Sequence, residues 1–284
     1  MMMFMELAGV TSFDEIYAGS LAVRIARTKA EVEAAQKLRY RIFYEEMGGS
    51  PTEEMRKVKS DFDIFDDYCD HLLVLDYDMP APREQVVGTY RLLRRSIARN
   101  IGRFYSESEF DVSAIKNEAG EILELGRSCV DAGYRNRAVM QLLWRGIAAY
   151  ITQHDITLMF GCASFFGINV QEHALPLSYL YHYHTAPEAI RAVALPEEYV
   201  EMNLMPKECI DRKEAFAALP ALVKGYLRLG SHIGQGAVID RQCNTIDVGI
   251  VVKTALVTGK YAQRYSTPAA KKIAMPCSVY SHAP

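Results

Sequence analysis

Apolar side chains recur three and four residues apart over KAEVEAAQKLRYRIFYEEM, residues 29–47, with Val32, Ala35, Leu38, Ile42 and Phe43 on one stripe. That spacing predicts a helix, following a first strand at LAVRIA, 21–26. HLLVLDY (71–77) and VVGTYRLL (86–93) flank the turn-rich MPAPREQ and predict an antiparallel pair. EILELGRSCV (121–130) reads as another strand. AVMQLLWRGIAAYITQ (138–153) is a helix with Val139, Leu142, Leu143, Gly146, Ile147, Tyr150 and Ile151 on one face, and ITLMFGCASF (156–165) is the next strand. A helix over 168–184 is expected to break or restart near Pro176. PALVKGYLRLG (220–230) is short and amphipathic, and the alternation over 237–257 predicts a closing hairpin. The order predicts an α/β (α+β) fold, a mixed sheet with helices on both faces. One domain is expected over 21–258, with an N-terminal extension over 1–20 and a C-terminal tail over 259–284.

The segment LELGRSCVDAGYRNRAV, 123–139, joins a strand to a helix through a polar loop. A helix start offers unpaired backbone N–H groups, and Arg135 and Arg137 add charge suited to a phosphate. Any arginine-bearing helix start shares these features. Glu124 and Arg127 interrupt an apolar strand. In regular pleating Leu123, Leu125 and Cys129 share one side and Ile122, Glu124, Gly126 and Ser128 the other, so Glu124 and Arg127 face opposite ways. A bulge near Gly126 would re-aim one of them and splay the strand from its neighbour.

Charge sharpens this picture. The net charge of -3 conceals seven aspartates over 61–78 and five arginines with no acid over 91–103. Such blocks are either solvated faces or the two halves of a charge-sorting site. The six cysteines form no C-x-x-C pair, which points to a reducing cytosol rather than to disulfides or zinc, and no metal site is expected. No run approaches the roughly 18 apolar residues of a membrane span. The final KYAQRYSTPAAKKIAMPCSVYSHAP is basic, free of acids and expected to be loosely ordered. Nothing points to nucleic acid.

Glu124-x-x-Arg127 followed by the loop and helix resembles the GNAT family of N-acyltransferases. Arg39 and Phe43 in LRYRIFYEEMG, Asp63 and Asp66 in DFDIFDDYCDHLLV, and Arg91 in VVGTYRLL resemble the acyl-homoserine-lactone synthases. A longer similarity, over roughly residues 20–258, is to the ornithine N-acyltransferases (ornithine lipid synthases, often labelled hemolysin-like). It rests on LGRSCVDAGYRNRAVMQLLWRGIAAYI, GCASFFG, LSYLYHYH, LPALVKGYLRLGSHIGQGAVID and NTIDVGIVV. The resemblance implies a GNAT-like fold: a mostly antiparallel twisted sheet with a splayed central strand pair. It also implies a bacterial enzyme of lipid metabolism that moves a 3-hydroxy fatty acyl group from acyl carrier protein to the α-amino group of L-ornithine. The product is lyso-ornithine lipid. Such an enzyme is expected in the cytoplasm with a weak peripheral contact to the inner membrane.

One departure bears on the donor. Coenzyme A-dependent GNAT enzymes carry glycines where this chain has Arg135-Asn-Arg-Ala138-Val-Met140. Side chains at 138 and 140 hinder close approach of a pyrophosphate, whereas phosphopantetheine has a single phosphate. Arg94, Arg95, Arg99, Arg103, Arg135 and Arg137 are expected to form one basic surface for acidic acyl carrier protein. Glu124 is the expected base, with Arg127 beside it, and the N–H groups of Cys129 and Val130 are expected at the oxyanion. Arg39, Arg91 or Arg127 would bind the acceptor carboxylate and Asp63 or Asp66 its distal ammonium, unless these residues simply pair with one another. GCASFFG and SYLYHYH are candidates to line the acyl channel. The alternatives are another amine acceptor (including S-adenosylmethionine), a coenzyme A donor, or a non-catalytic carrier- or membrane-binding protein.

Overall fold

The structure is a computed structural model that describes residues 14–82 and 84–257. Ten strands follow in chain order: β1 (Ile16–Ala18), β2 (Leu21–Ile25), β3 (Asp70–Asp76), β4 (Val86–Arg94), β5 (Phe110–Asp111), β6 (Glu121–Val130), β7 (Ile156–Phe166), β8 (Val193–Ala194), β9 (His232–Asp240) and β10 (Thr245–Lys253). The helices are α1 (Lys29–Tyr40), α2 (Glu53–Val58), α3 (Arg95–Ile101), α4 (Ser113–Lys116), α5 (Arg137–Gln153), α6 (Ala174–His184), α7 (Arg212–Ala218) and α8 (Ala221–Arg228). Each stretch with a clear period forms the expected element. The expected N-terminal extension supplies β1, and the expected basic tail lies outside the described residues.

The strands form one sheet in the order β1-β2-β3-β4-β6-β7-β10-β9-β8-β5. Its neighbours pair antiparallel except β6 with β7 and β8 with β9. The β6–α5–β7 crossover makes the first parallel pair, because a strand that returns in the same direction needs a long connection. Among the described residues no helix is long and apolar enough to cross a membrane.

Helices α1, α2, α5 and α7 begin at a side-chain cap: Thr28, Thr52, Asn136 and Asp211. Thr28 and Glu31 form a capping box on α1, and Asn136 accepts from the Ala138 and Val139 N–H groups at the start of α5. Pro176 lies in the first turn of α6, where its missing N–H costs nothing, so the helix starts there after a 3-10 turn at Val170–His173. Helix α1 runs directly into a π-helical segment, Arg41–Glu46, which carries Phe43. Helix α5 buries Val139, Leu142, Leu143, Ile147 and Tyr150 on one sheet face, and Trp144 meets Tyr226 of α8 edge-on at 5.1 Å. The other face carries α1 over Leu73, Leu75 and Val86, and further along Phe104, Phe110 and Ile115 over Ile122, Leu158 and Phe160.

Strands β6 and β7 pair only from Glu121↔Ile156 to Glu124↔Phe160 and then part. Beyond that point β7 bonds only β10, through Thr245↔Phe166, while β6 stays with β4 as far as Gly88↔Val130. Gly161 stands at the fork. A Cβ there would lie 2.1 Å from the Leu125 carbonyl oxygen, so the two backbones approach closely just before they diverge.

Candidate active site

A bulge follows the fork on β6. Between Thr89 and Arg91 the β4–β6 register slips, so that Cys129 faces Thr89 but Gly126 faces Arg91, and Arg127 takes φ +50. An arginine in the left-handed region is strained, and such positions cluster where function over-determines the backbone. The slip has two consequences. Arg127 turns to the same side as Glu124: its Nη2 donates to the Tyr105 hydroxyl at 3.3 Å, while the Tyr105 N–H donates to Glu124 at 2.8 Å. Cys129 changes sides too. It packs beneath α1 rather than with Leu123 and Leu125, because the extra residue reverses the parity of everything after it.

Glu124 is 4% exposed and accepts N–H groups from Tyr105 (2.8 Å) and Ser106 (2.7 Å). Burial raises its pKa, and the hydrogen bonds from Ser106 and Tyr105 work against that rise. A carboxylate has about four acceptor sites, so two remain once these bonds are made.

Arg39, Phe43, Asp63, Asp66, Arg91 and Arg127, scattered over 39–127 in sequence, meet at this side of the fork. Arg39, 1% exposed, spends its guanidinium on Asp61 (2.6 Å) and Asp66 (2.9 and 2.8 Å). Arg91 binds Asp63 at 2.7 Å and lies 3.4 Å from Asp66. Arg127 stacks 5.9 Å from the Phe43 ring centroid and 5.1 Å from that of Tyr105, and lies 3.6 Å from Asp63 and 3.9 Å from Asp61. Burial alone would push the Asp66 carboxyl up, but Arg39 and Arg91 hold it well below the usual carboxylate range. Asp61 is lowered in the same way, by Arg127 and Arg39 acting against burial. The aspartates and arginines therefore largely serve one another. Arg39 has committed four of its five N–H donors to Asp61 and Asp66, and Asp66 is already neutralised. Arg127 lies on β6 beyond the fork and keeps its buried Nε without a hydrogen-bond partner; Arg91 keeps its Nη2 likewise but sits one strand further back, on β4.

The expected oxyanion donors divide. Asp131 N–H bonds the Val87 carbonyl, so by the alternation of an antiparallel ladder Cys129 is the next residue bonded to β4. The Val130 N–H then points toward β7, which no longer pairs with it, but Val130 lies opposite Gly88, five residues along β4 from the partner of Glu124, so roughly 17 Å keeps it from serving the same carbonyl as Glu124. A mainly apolar cavity of about 10 Å³, room for about one water, sits at the fork, lined by Leu125, Met159, Phe160, Gly161, Cys162, Tyr226, Ile250 and Val252. Gly161 and Cys162 of GCASFFG line this small cavity, whereas Tyr181 and His182 of SYLYHYH line a separate, larger pocket with Thr185, Arg191, Tyr199, Glu201 and Gln235; Ser178, Tyr179 and Leu180 are buried core.

The expected basic surface is not continuous. Arg94 ends β4 six residues from Gly88, the partner of Val130, so roughly 20 Å separates it from the 131–136 loop. Arg94 lies 3.6 Å from Asp70, Arg95 donates to the Glu118 carbonyl at 2.8 Å, and Arg99 is exposed on α3. Arg103 stacks on Phe65 instead, 5.2 Å from its centroid. At the other end Arg135 pairs with both oxygens of Glu46, and Arg137 and Ala138 are exposed at the start of α5. The Ala138 and Val139 donors already meet Asn136 Oδ1, so a phosphate there must displace that side chain.

Burial pushes the Cys129 thiol up to about 12 and the Cys162 thiol well above its ordinary value, so neither is a ready nucleophile. Sequence reasoning passed over Asp61, Tyr105, Glu109 and Asp247. Of these, Asp247 left a trace, as an acid inside the alternating apolar run TIDVGIVV.

A family model described as an acetyltransferase (GNAT) domain matches residues 38–145. The chain is 47% identical over 251 residues to the L-ornithine N(alpha)-acyltransferase of Agrobacterium fabrum (strain C58), spanning 87% of this chain and 85% of that one. It is 46% identical to the enzyme of the same name from Rhizobium meliloti (strain 1021), spanning 89% of this chain and 86% of that one. The enzyme of that name from Brucella abortus (strain 2308) is also 46% identical, with 88% and 90% spanned. With a forked strand pair, a buried carboxylate beside it and this identity along most of both chains, the protein belongs to the L-ornithine N(alpha)-acyltransferase family of GNAT-fold acyltransferases.

Proposed function

We propose that the chain transfers a 3-hydroxy fatty acyl group from the phosphopantetheine arm of acyl carrier protein to the α-amino group of L-ornithine, yielding lyso-ornithine lipid. The observation that carries this reading is the open fork between β6 and β7 beside Glu124, in a chain of this family. The thioester enters between the strands, and its acyl chain extends toward Leu125, Gly161 and Tyr226, where a cavity of about 10 Å³, room for about one water, has to widen to take it. Each methylene buried there contributes about 0.8 kcal/mol.

The α-amino group attacks directly. Its nitrogen forms the new C–N bond as the C–S bond breaks, and the amine proton passes to Glu124, directly or through one water. That proton then neutralises the departing thiolate. A free α-amino group titrates near ~8, so a modest base suffices. Arg127 receives the acceptor carboxylate, since Arg39 is committed to Asp61 and Asp66.

A carrier-protein donor is favoured over coenzyme A because Asn136 and the side chains of Ala138 and Met140 occupy the place where a pyrophosphate needs bare backbone. The test is a rate comparison with purified protein and ornithine. Turnover of 3-hydroxyacyl carrier protein should exceed that of acetyl-coenzyme A by at least tenfold, and the reverse order would make this a coenzyme A-dependent enzyme.

A further inference from the structure

Beyond the fork, on the same sheet face as Glu124, lies a second group of acids that the acyl transfer itself does not use. Ligand atoms of Glu109, Cys162 and Asp247 fall within 4.8 Å of one another. Cys162 Sγ donates to Glu109 Oε2 at 3.4 Å, and Asp247 projects from β10 opposite Ser164 of β7. Asp240 adds a third carboxylate nearby, its Oδ1 held by the Cys243 N–H at 2.8 Å. Among the described residues none of these three acids forms an ion pair, unlike Asp61, Asp63 and Asp66. Their nearest cationic influence is Arg127, which reaches toward them through Cys243, 3.6 Å from its Nη1.

Asp247 makes this more than a crowd of acids. It is 6% exposed, and its Oδ1 has no hydrogen-bond partner. A buried carboxylate oxygen left bare among other carboxylates is costly unless a donor arrives. The same crowding favours protonation. Burial, with Asp247 and Asp240 as neighbours, pushes Glu109 up to about 8. Burial also lifts Asp247 to about 6, an effect the Ser164 and Thr245 hydroxyls moderate. An ammonium brings three donors and a positive charge, which answers both deficits at once.

We propose that Glu109 and Asp247, flanked by Asp240, form the socket for the distal ammonium of the acceptor, and so make the enzyme select a diamino acid. This rests on ornithine being the acceptor and gives the role to acids with no arginine ion pair, whereas Asp63 and Asp66 pair with Arg91, Arg127 and Arg39. With Arg127 at one end and the socket at the other, the acceptor lies across the fork. Its carboxylate and side chain are both fixed, and its α-amino group is presented to the thioester.

The test compares ornithine with norvaline, which has the same carbon chain without the distal amine, using full-length protein and 3-hydroxyacyl carrier protein. A site built to bind a polar group rejects an analogue lacking it far more strongly than one that merely fits it. Wild type should prefer ornithine. In Glu109→Gln and in Asp247→Asn the ratio of ornithine to norvaline kcat/KM should fall at least tenfold, chiefly through the KM for ornithine. A second readout needs no variant. Ornithine binding to wild type should release protons near pH 7 and norvaline binding should not, measured by calorimetry in buffers of different ionisation enthalpy. An unchanged ratio in both variants, or equal proton release, overturns the socket while leaving ornithine acylation standing. Failure of wild type to acylate ornithine at all overturns both.

Discussion

Replacing Glu124 by glutamine separates chemistry from architecture, because the side chain has two tasks that the substitution affects differently. Its two oxygens receive the N–H groups of Tyr105 and Ser106, which begin the 3-10 turn Tyr105–Ser108. A glutamine keeps one acceptor oxygen and puts an NH2 against the other donor. One buried N–H is left unmet, at a cost of about 1–3 kcal/mol. The protein should stay folded but melt at lower denaturant concentration. As a base, glutamine is useless, and general base catalysis is typically worth 10²–10⁴-fold. We expect at least a tenfold fall in turnover, with carrier binding little changed. The assay is single-turnover release of carrier-protein thiol on mixing acylated carrier and ornithine, alongside urea denaturation of the same preparation. The pH profile adds a check. Glu124 must be ionised to act, and burial raises its pKa, so the acid limb of wild-type turnover should lie above the ordinary carboxylate range. Full turnover in Glu124→Gln, with only the stability loss, would reduce Glu124 to a cap on the turn and refute its catalytic role.

The geometry makes three further outcomes testable. Arg39→Leu leaves Asp61 and Asp66 buried without their main partner. It should cost on the order of 3–5 kcal/mol, read as a lowered urea midpoint, and a change below about 1 kcal/mol would contradict the buried network. Gly161→Ala drives a methyl into the Leu125 carbonyl at the fork. It should destabilise by about 1–3 kcal/mol and slow transfer from long acyl donors. Glu109→Gln should stabilise the fold in alkaline solution. A carboxyl at about 8 in the fold, against an ordinary value near 4.5, binds more protons folded than unfolded between those limits. Wild-type stability therefore falls as pH rises through that window. The variant should melt higher than wild type at pH 9, and the difference should vanish below pH 4.5.

What the sequence disclosed was whatever has a period or an isolated anomaly. The 3.6-residue stripe of α5 and the alternation of β9 and β10 were legible because one face of each is buried. Glu124 and Arg127 stood out as charges in an apolar strand. Strands β1, β5 and β8, of three, two and two residues, are too short to carry a pattern. The bulge at Arg127 was expected, but its reversal of Cys129 was not, since one added residue swaps the faces only of the positions C-terminal to it. Arg39, Asp63, Asp66 and Arg91 were legible as a set through resemblance. That they spend most of their charge on each other depends on side-chain reach, which spacing does not encode. The joining of Arg94, Arg95 and Arg99 with Arg135 and Arg137 into one surface failed for a related reason, because β4 carries the first group to the far end of the strand pair. Glu109 lies in YSESEFD, where an acid among polar residues looks like any solvated loop.

The claim on which the rest depends is that the fork between β6 and β7 receives the thioester arm. The most direct measurement is a crystal structure with a non-hydrolysable pantetheine amide of a 3-hydroxy fatty acid. The account predicts density entering between the strands just beyond Glu124 and Phe160, with the thioester carbonyl within one bridging water of Glu124 and the acyl chain running past Gly161. An arm bound on the outer surface, with β6 and β7 closed beyond Glu124, would contradict it.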